Sequence, residues 1–385
     1  MKRHHIGIFG RMNAGKSALF NALTGQTSSI VDKTPGTTTD PVRKIFEIEG
    51  SGPVTLIDTG GIDDEKTPLG RRRVKKAAAV TEQIDLAILV FTDNVFGVYE
   101  QKLADSFRKK KIPFFLVHGK NDLTPLKKQI PSAETAVFSI KNPGKEKIFS
   151  LIKKHLAASS APKNLLDGLV QEGEEILLVT PIDASAPEGR LILPQVQTLR
   201  AALDKNAVTI VAQPAQLKNA LKNKNFKLVI TDSQVFAEVA KIVPQKTPLT
   251  SFSMLLAHAH ANFADMVKGA KKLDGLKDGD KILILESCTH TINSCIDIGR
   301  VKIPALIKKY TGKKLDFTVV AGLDALPEDL SSYALAVQCG GCMATERQLA
   351  NRLGDALDAG LAITNYGMAI AYCNGIFDRV LKSLL

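Results

Sequence analysis

Eight residues near the start of the chain, Gly10-Arg-Met-Asn-Ala-Gly15-Lys16-Ser17, leave little freedom in what its first part can fold into. They lie between a short apolar run, IGIFG, and a helical pattern, SALFNALTG. A glycine loop between a strand and a helix curls successive backbone N–H groups around one point, at the positive end of the helix dipole. That point receives phosphate. In this spacing the lysine reaches the β- and γ-phosphates and the hydroxyl binds Mg²⁺. Gly10, Asn13, Ala14, Gly15, Lys16, Ser17 and Ala18 are therefore the expected phosphate contacts, with Lys16 and Ser17 catalytic.

The segments that follow keep the order such a site requires. Strand-like VTLIDTGG, LAILVFTD, FFLVHGK and TAVFSI alternate with helical patterns, which reads as a mainly parallel sheet covered by helices. Asp58-Thr-Gly-Gly61 closes the first of these, so that Asp58 holds Mg²⁺ through water and the Gly61 N–H senses the γ-phosphate. Thr38, in the loop TPGTTTD, is the expected switch contact to Mg²⁺. Asp122 in Gly119-Lys120-Asn121-Asp122 can accept from the guanine N1–H and amino group, while Lys120 packs over the base. Ser139-Ile-Lys141 stands for the loop at the guanine O6. These motifs are those of a P-loop GTPase domain over residues 1–160 that binds and hydrolyses Mg-GTP. Gly119 stands where GTPases carry an asparagine, so weaker guanine affinity is expected, which an asparagine there would restore unless Asn121 already fills the role.

In detail the domain resembles the TrmE/Era branch of GTPases. Ile62 follows the Asp-Thr-Gly-Gly run where Ras-like enzymes place a water-orienting glutamine, and Asn13 occupies the position that offers its side-chain oxygen to K⁺ in potassium-activated members. The resemblance implies that K⁺ stabilises transition-state charge in place of an arginine finger.

A chain of 385 residues needs two or three cores. It has no apolar run long enough to span a membrane and no signal sequence at its start, so a cytoplasmic protein is expected. The net charge of +12 comes from Lys and Arg scattered over helices, and with no Trp a stacking platform for nucleic acid is not expected. The cysteines say more. All five, Cys288, Cys295, Cys339, Cys342 and Cys373, lie in the last third, and an odd number so confined argues for a metal or redox site over a disulfide framework.

After a small-residue linker, HLAASSAPKN, the fold class stays α/β: the GTPase domain is followed by two further α/β domains with mainly parallel sheets. Residues 165–270 carry strands EILLVTPID, VTIVAQ and KLVITD, with no phosphate loop and no ionisable cluster, and read as a scaffold or oligomerisation domain. His258 and His260, two apart, point different ways on a helix and read as surface or packing residues. Residues 271–385 carry KILILES, LDFTVVAG and YALAVQ. Cys288 follows the first of these, and Cys339 with Cys342 follow the last, at strand ends where α/β sheets build sites.

By residue chemistry Cys288, His290, Cys339 and Cys342 suit an iron–sulfur cluster or tetrahedral zinc equally. A thioredoxin-like reading of Cys339-Gly-Gly-Cys342 leaves Cys288 unexplained. Together with the GTPase motifs and the phrase LTSFSMLLA, the pattern Cys288-Thr-His290…Gln338-Cys339-Gly-Gly-Cys342 resembles the HydF family, GTPase scaffolds in [FeFe]-hydrogenase maturation. The resemblance implies a homodimer formed through the middle domain and a [4Fe–4S] cluster in the third. It also implies a diiron precursor that radical-SAM maturases build and apo-hydrogenase receives. Gln338 replaces a family histidine, which leaves the fourth iron open. Cys295, close to two helical turns beyond Cys288, is a candidate to ligate or cap it, and Cys373 reads as a core thiol. The rival reading is a TrmE/Era-like RNA- or ribosome-associated GTPase with a structural zinc.

Overall fold

The computed structural model describes residues 3–25, 41–61, 63, 67–127, 130, 133–158, 164–182, 191–287, 298–322, 324–342 and 344–385. Two compact units divide the chain, Met1–Ala161 and Pro162–Leu385.

The first unit contains β1 (His4–Gly10), α1 (Lys16–Thr24), β2 (Val42–Ile48), β3 (Gly52–Asp58), α2 (Pro68–Thr81), β4 (Leu86–Phe91), α3 (Val98–Lys109), β5 (Phe114–His118), β6 (Thr135–Val137) and α4 (Lys145–Ala158). The sheet order is β2-β3-β1-β4-β5-β6, parallel except for β2. β4, LAILVF, is buried along its whole length, as a central parallel strand covered on both faces must be. Its successive side chains feed opposite cores: Ile88 joins Leu19, Phe20 and Ile152, whereas Leu89 joins Phe9, Ile57 and Phe107.

In the second unit the elements are β7 (Glu175–Val179), α5 (Leu193–Asp204), β8 (Val208–Ala212), α6 (Leu217–Leu221), β9 (Leu228–Thr231), α7 (Phe236–Ile242), β10 (Leu249–Ser251), α8 (Phe252–His258) and α9 (Phe263–Ala270). They continue as β11 (Lys281–Leu285), α10 (Ile303–Thr311), β12 (Asp316–Val320), β13 (Tyr333–Gln338), α11 (Glu346–Asp358), β14 (Ile363–Asn365), α12 (Tyr366–Cys373) and α13 (Phe377–Lys382). Two four-stranded sheets result, β10-β9-β7-β8 and β12-β11-β13-β14, with every pairing parallel.

Counted within each sheet, the strand order is closely similar, with the first strand central in both and the last at an edge. The repeat shows most plainly in the closing strand–helix pairs, Leu249-Thr-Ser-Phe-Ser-Met-Leu-Leu-Ala257 and Ile363-Thr-Asn-Tyr-Gly-Met-Ala-Ile-Ala371. At equivalent positions Ser251 Oγ accepts from the Met254 N–H (3.2 Å) and Asn365 Oδ1 from the Met368 N–H (2.8 Å), so both helices carry the same kind of N-cap. The caps also meet. Asn365 Nδ2 donates to the Ser253 carbonyl (2.8 Å), and the Gly367 N–H donates to Ser253 Oγ (3.2 Å). The phrase LTSFSMLLA is thus the join between the two sheets. One hydrophobic core runs through both, with Leu177, Val229 and Leu255 from one and Leu285, Ala336 and Leu353 from the other.

α9 packs on β14 so closely that a Cβ built on Gly269 would overlap the backbone carbonyl of Ile363. Backbone cannot give way as a flexible side chain can. Gly269→Ala is therefore expected to destabilise the second unit by about 3 kcal/mol or more, read as a lower denaturant midpoint in the 162–385 transition. An unchanged midpoint would show that α9 shifts without cost.

Candidate functional site

The phosphate loop joins β1 to α1. Gly15 (φ 97°) and Asn13 (φ 58°) lie in the left-handed region that turns the loop back on itself. Lys16 is buried, and its Nζ donates to the Arg11 carbonyl (2.6 Å). Burial pulls its pKa down to about 8 against the opposing pull of Asp58 and Asp63. Ser17 Oγ donates to Asp58 Oδ2 (2.6 Å), bringing a hydroxyl and a fully buried carboxylate together. That hard oxygen pair fits Mg²⁺. Gly61 packs on Met12, where a Cβ would overlap the Met12 side chain. Thr38 lies outside the described residues, and so does Ile62.

Three residues of this site escape a reading of the sequence. Asp63 Oδ1 accepts the Met12 N–H (2.8 Å), so a carboxylate meets a backbone donor of the phosphate loop. Arg11 Nε donates to Glu100 Oε1 (2.6 Å) and its terminal nitrogen to the Val95 carbonyl (2.9 Å). Glu100 is fully buried, and its other oxygen accepts the Gly97 N–H (2.9 Å), so the loop is tied to the start of α3. A charged residue inside the glycine motif is the available signal, but its partner is far off in sequence.

At the base end, β5 pairs with β6, and the Asn121 N–H donates to the Phe138 carbonyl (3.1 Å). Lys120-Asn121-Asp122 and Ser139-Ile140-Lys141 are brought side by side in this way. Asp122 and Lys141 are exposed, and Ser139 is buried with its Oγ accepting the Asn142 N–H (3.0 Å). Asn121 is engaged within its own loop. Its Oδ1 accepts the Leu126 N–H (2.9 Å) and lies 3.3 Å from His118 Nδ1. Gly119 also changes meaning: a Cβ there would overlap the carbonyl oxygen of Ala14 in the phosphate loop. The glycine permits a close approach of the two loops, and an asparagine does not fit.

The cysteine loop stands at the carboxyl ends of adjacent strands β11 and β13. The Cys339 N–H donates to the Leu285 carbonyl (2.9 Å). Three N–H groups then converge on Cys339 Sγ: Ser287 N at 3.0 Å, Gly341 N at 3.4 Å and Gln338 Nε2 at 3.4 Å. Ser287 is the residue immediately before Cys288 in the chain. Gly341 (φ 64°) makes the turn to Cys342, and both Cys339 and Cys342 are partly exposed. Gln338 is buried; Nε2 also donates to Ser287 Oγ (2.8 Å) and the Cys339 carbonyl (3.2 Å), while Oε1 has no hydrogen-bond partner among the described residues. Behind the loop, buried Arg352 on α11 donates to the Gly322 (2.6 Å) and Val320 (3.2 Å) carbonyls. Burial lowers its pKa, and Cys339 and Asp324 oppose that.

Cys288, His290 and Cys295 lie outside the described residues. Among the described residues there is no group of three or more metal-binding side chains. Cys373 sits against the hydrophobic core beneath β11, its thiol pushed up to about 12 by burial and by Asp274. His258 packs edge-on against Phe263 with ring centres 5.1 Å apart, and His260 lies past the end of α8.

Three family models match the chain: a 50S ribosome-binding GTPase over residues 5–120, a hydrogen maturase F dimerization domain over 165–261, and a hydrogen maturase F tetramerization domain over 264–383. A tRNA modification GTPase MnmE from Nitrosomonas eutropha is 38% identical over 120 residues, which is 31% of this chain and 26% of that protein. GTPase Der from Natranaerobius thermophilus is 27% identical over 73% of this chain and 66% of its own length. GTPase Era from Clostridium kluyveri is 27% identical over 47% of this chain and 65% of its own. The chain thus spans about a quarter to two thirds of the length of these relatives. Among solved structures, a variant of Aquifex aeolicus Era bound to GDP·AlF₄⁻ is 18% identical with a TM-score of 0.37, covering 63% of this chain and 98% of that one.

Two outcomes are expected at the nucleotide site. Gly119→Ala and Gly119→Asn should each raise the GTP dissociation constant about tenfold, for roughly 1.4 kcal/mol of overpacking; equal or tighter binding would show that the loops have room. For Lys16, the lowered pKa means that GTP binding above about pH 8 takes up a proton, because the bound phosphates restore the ammonium. Affinity should therefore fall as pH rises past about 8. Calorimetry at about pH 8.5 in buffers of different ionisation heat should show the uptake in the wild type and not in Lys16→Arg.

Proposed function

Since the chain belongs to the HydF family of hydrogen maturases, we propose that its GTPase serves a scaffold that holds a [4Fe–4S] cluster and passes a diiron precursor to apo-[FeFe]-hydrogenase. The carrying observation is the convergence of three N–H donors on Cys339 Sγ, one of them from the residue before Cys288. Such donors favour sulfur in its metal-bound, thiolate form. Cys288, Cys339 and Cys342 would hold the cluster. Cys295 or an exogenous group would take the fourth iron. The bound cluster supplies a site-differentiated iron at which a precursor can be held. Residues 165–270 would form the dimer and 271–385 the cluster domain. The exposed Val208 and Val211 on edge strand β8 support self-association in the former.

In the first unit the residues divide the work of hydrolysis. Lys16 neutralises phosphate charge, Ser17, Thr38 and Asp58 hold Mg²⁺, Gly61 reports the γ-phosphate, and Asp122 with Lys120, Ser139 and Lys141 selects guanine. K⁺ at Asn13 would add positive charge where it offsets the charge that develops. The radical-SAM maturases that build the precursor would be the partners, in the cytoplasm. No described helix is long and apolar enough to cross a membrane.

Anaerobic reconstitution with iron and sulfide tests this reading. A brown protein is expected, with the colour lost in Cys288→Ala, Cys339→Ala and Cys342→Ala. Lys16→Ala should stop hydrolysis and keep its iron, since the sites lie in separate units. A colourless protein holding stoichiometric zinc would favour an RNA- or ribosome-linked GTPase instead. For potassium, exchange of K⁺ for Na⁺ should slow turnover several-fold; equal rates would remove Asn13 from that role.

A further inference from the structure

Gln338 stands where the family resemblance puts a histidine ligand, yet its side chain is held as a donor. Its amide orientation is set by chemistry: the Cys339 carbonyl, 3.2 Å from Nε2, can only accept. One amide hydrogen goes to Ser287 Oγ (2.8 Å), and the other is shared between the Cys339 carbonyl and Sγ (3.4 Å). The residue is 2% exposed, so water does not compete for these bonds. Strand pairing fixes the backbone on both sides, Gln338 opposite Leu285 in β11 and Asn365 in β14.

We infer that Gln338 is a positioning residue for the cluster, whose Nε2–H acts with the Ser287 and Gly341 amides to hold the Cys339 sulfur and raise the cluster's reduction potential. This rests on the cluster reading above. An amide nitrogen has no lone pair to give a metal, but its N–H stabilises negative charge on a ligating sulfur. Reduction adds such charge, so the donor favours the reduced state. A neutral imidazole carries a single N–H and cannot donate to Ser287 Oγ and Cys339 together.

The test compares wild type with Gln338→Met, which keeps chain length and loses the donor, and with Gln338→Ala should the first not fold. Each is reconstituted anaerobically with iron and sulfide and titrated by EPR-monitored reduction. Iron and sulfide content should match wild type, and added imidazole should perturb all spectra alike. The midpoint should move negative by about a tenfold change in the reduction equilibrium, about 59 mV for one electron. An unchanged midpoint in iron-replete variants overturns the inference alone. Iron loss, or a response to imidazole stronger than that of wild type, overturns it in favour of Gln338 Oε1 as a ligand. If wild type itself takes up only zinc, the cluster reading fails and this inference goes with it.

Discussion

Backbone N–H groups left without strand partners at the carboxyl ends of parallel sheets are the material from which both sites are made. Every strand pairing except β2–β3 is parallel, so within each sheet the ends of the parallel strands fall on one edge. An N–H buried there without an acceptor is costly, and an anion is the acceptor that satisfies several at once. In the first unit the Met12 N–H meets the Asp63 carboxylate, in a loop shaped for phosphate. In the second, Ser287 and Gly341 aim at Cys339 Sγ. A glycine at positive φ serves each turn, Gly15 in one and Gly341 in the other. The same arrangement of backbone donors at a strand end thus occurs in both units.

The sequence is legible where side-chain chemistry and strand pattern coincide. The glycine loop, Asp58 and the strand ends bearing Cys339 are readable because each motif sits at a strand–loop junction that spacing alone defines. β10 and β14 escape because three residues cannot show a period of two. Gly119 reads from sequence as a lost contact, whereas in the fold it is a requirement for space. Its meaning depends on Ala14, which no local pattern connects to it. The Arg11–Glu100 pair is hidden for the same reason: its members are 89 positions apart.

The internal repeat is the largest feature that the sequence conceals. Few residues coincide between LTSFSMLLA and ITNYGMAIA, but their roles do: a capping side chain, a methionine, then small and branched apolar residues. Ser251 and Asn365 differ in type and perform the same cap. Divergence at the strand ends then separates the halves. The position after β9 carries Asp232, an N-cap to the next turn, whereas after β13 it carries Cys339. The first half carries no cysteine, and the second sets cysteines on the same frame. The Asn365–Ser253 contacts hold the cysteine loop's sheet to its twin.

In the first unit, Asp63 and a nucleotide phosphate are both anions that draw on the Lys16 ammonium. Two negative groups beside a single buried ammonium also repel each other. Asp58, which accepts from Ser17 Oγ, and Asp63, which accepts the Met12 N–H, lie on either side of Gly61, itself packed on Met12. Arg11 ties the lysine to α3, since its carbonyl receives Lys16 Nζ while its guanidinium bonds Glu100 at the start of that helix. Pulling the guanidinium away would leave a fully buried carboxylate without its cation, which is costly.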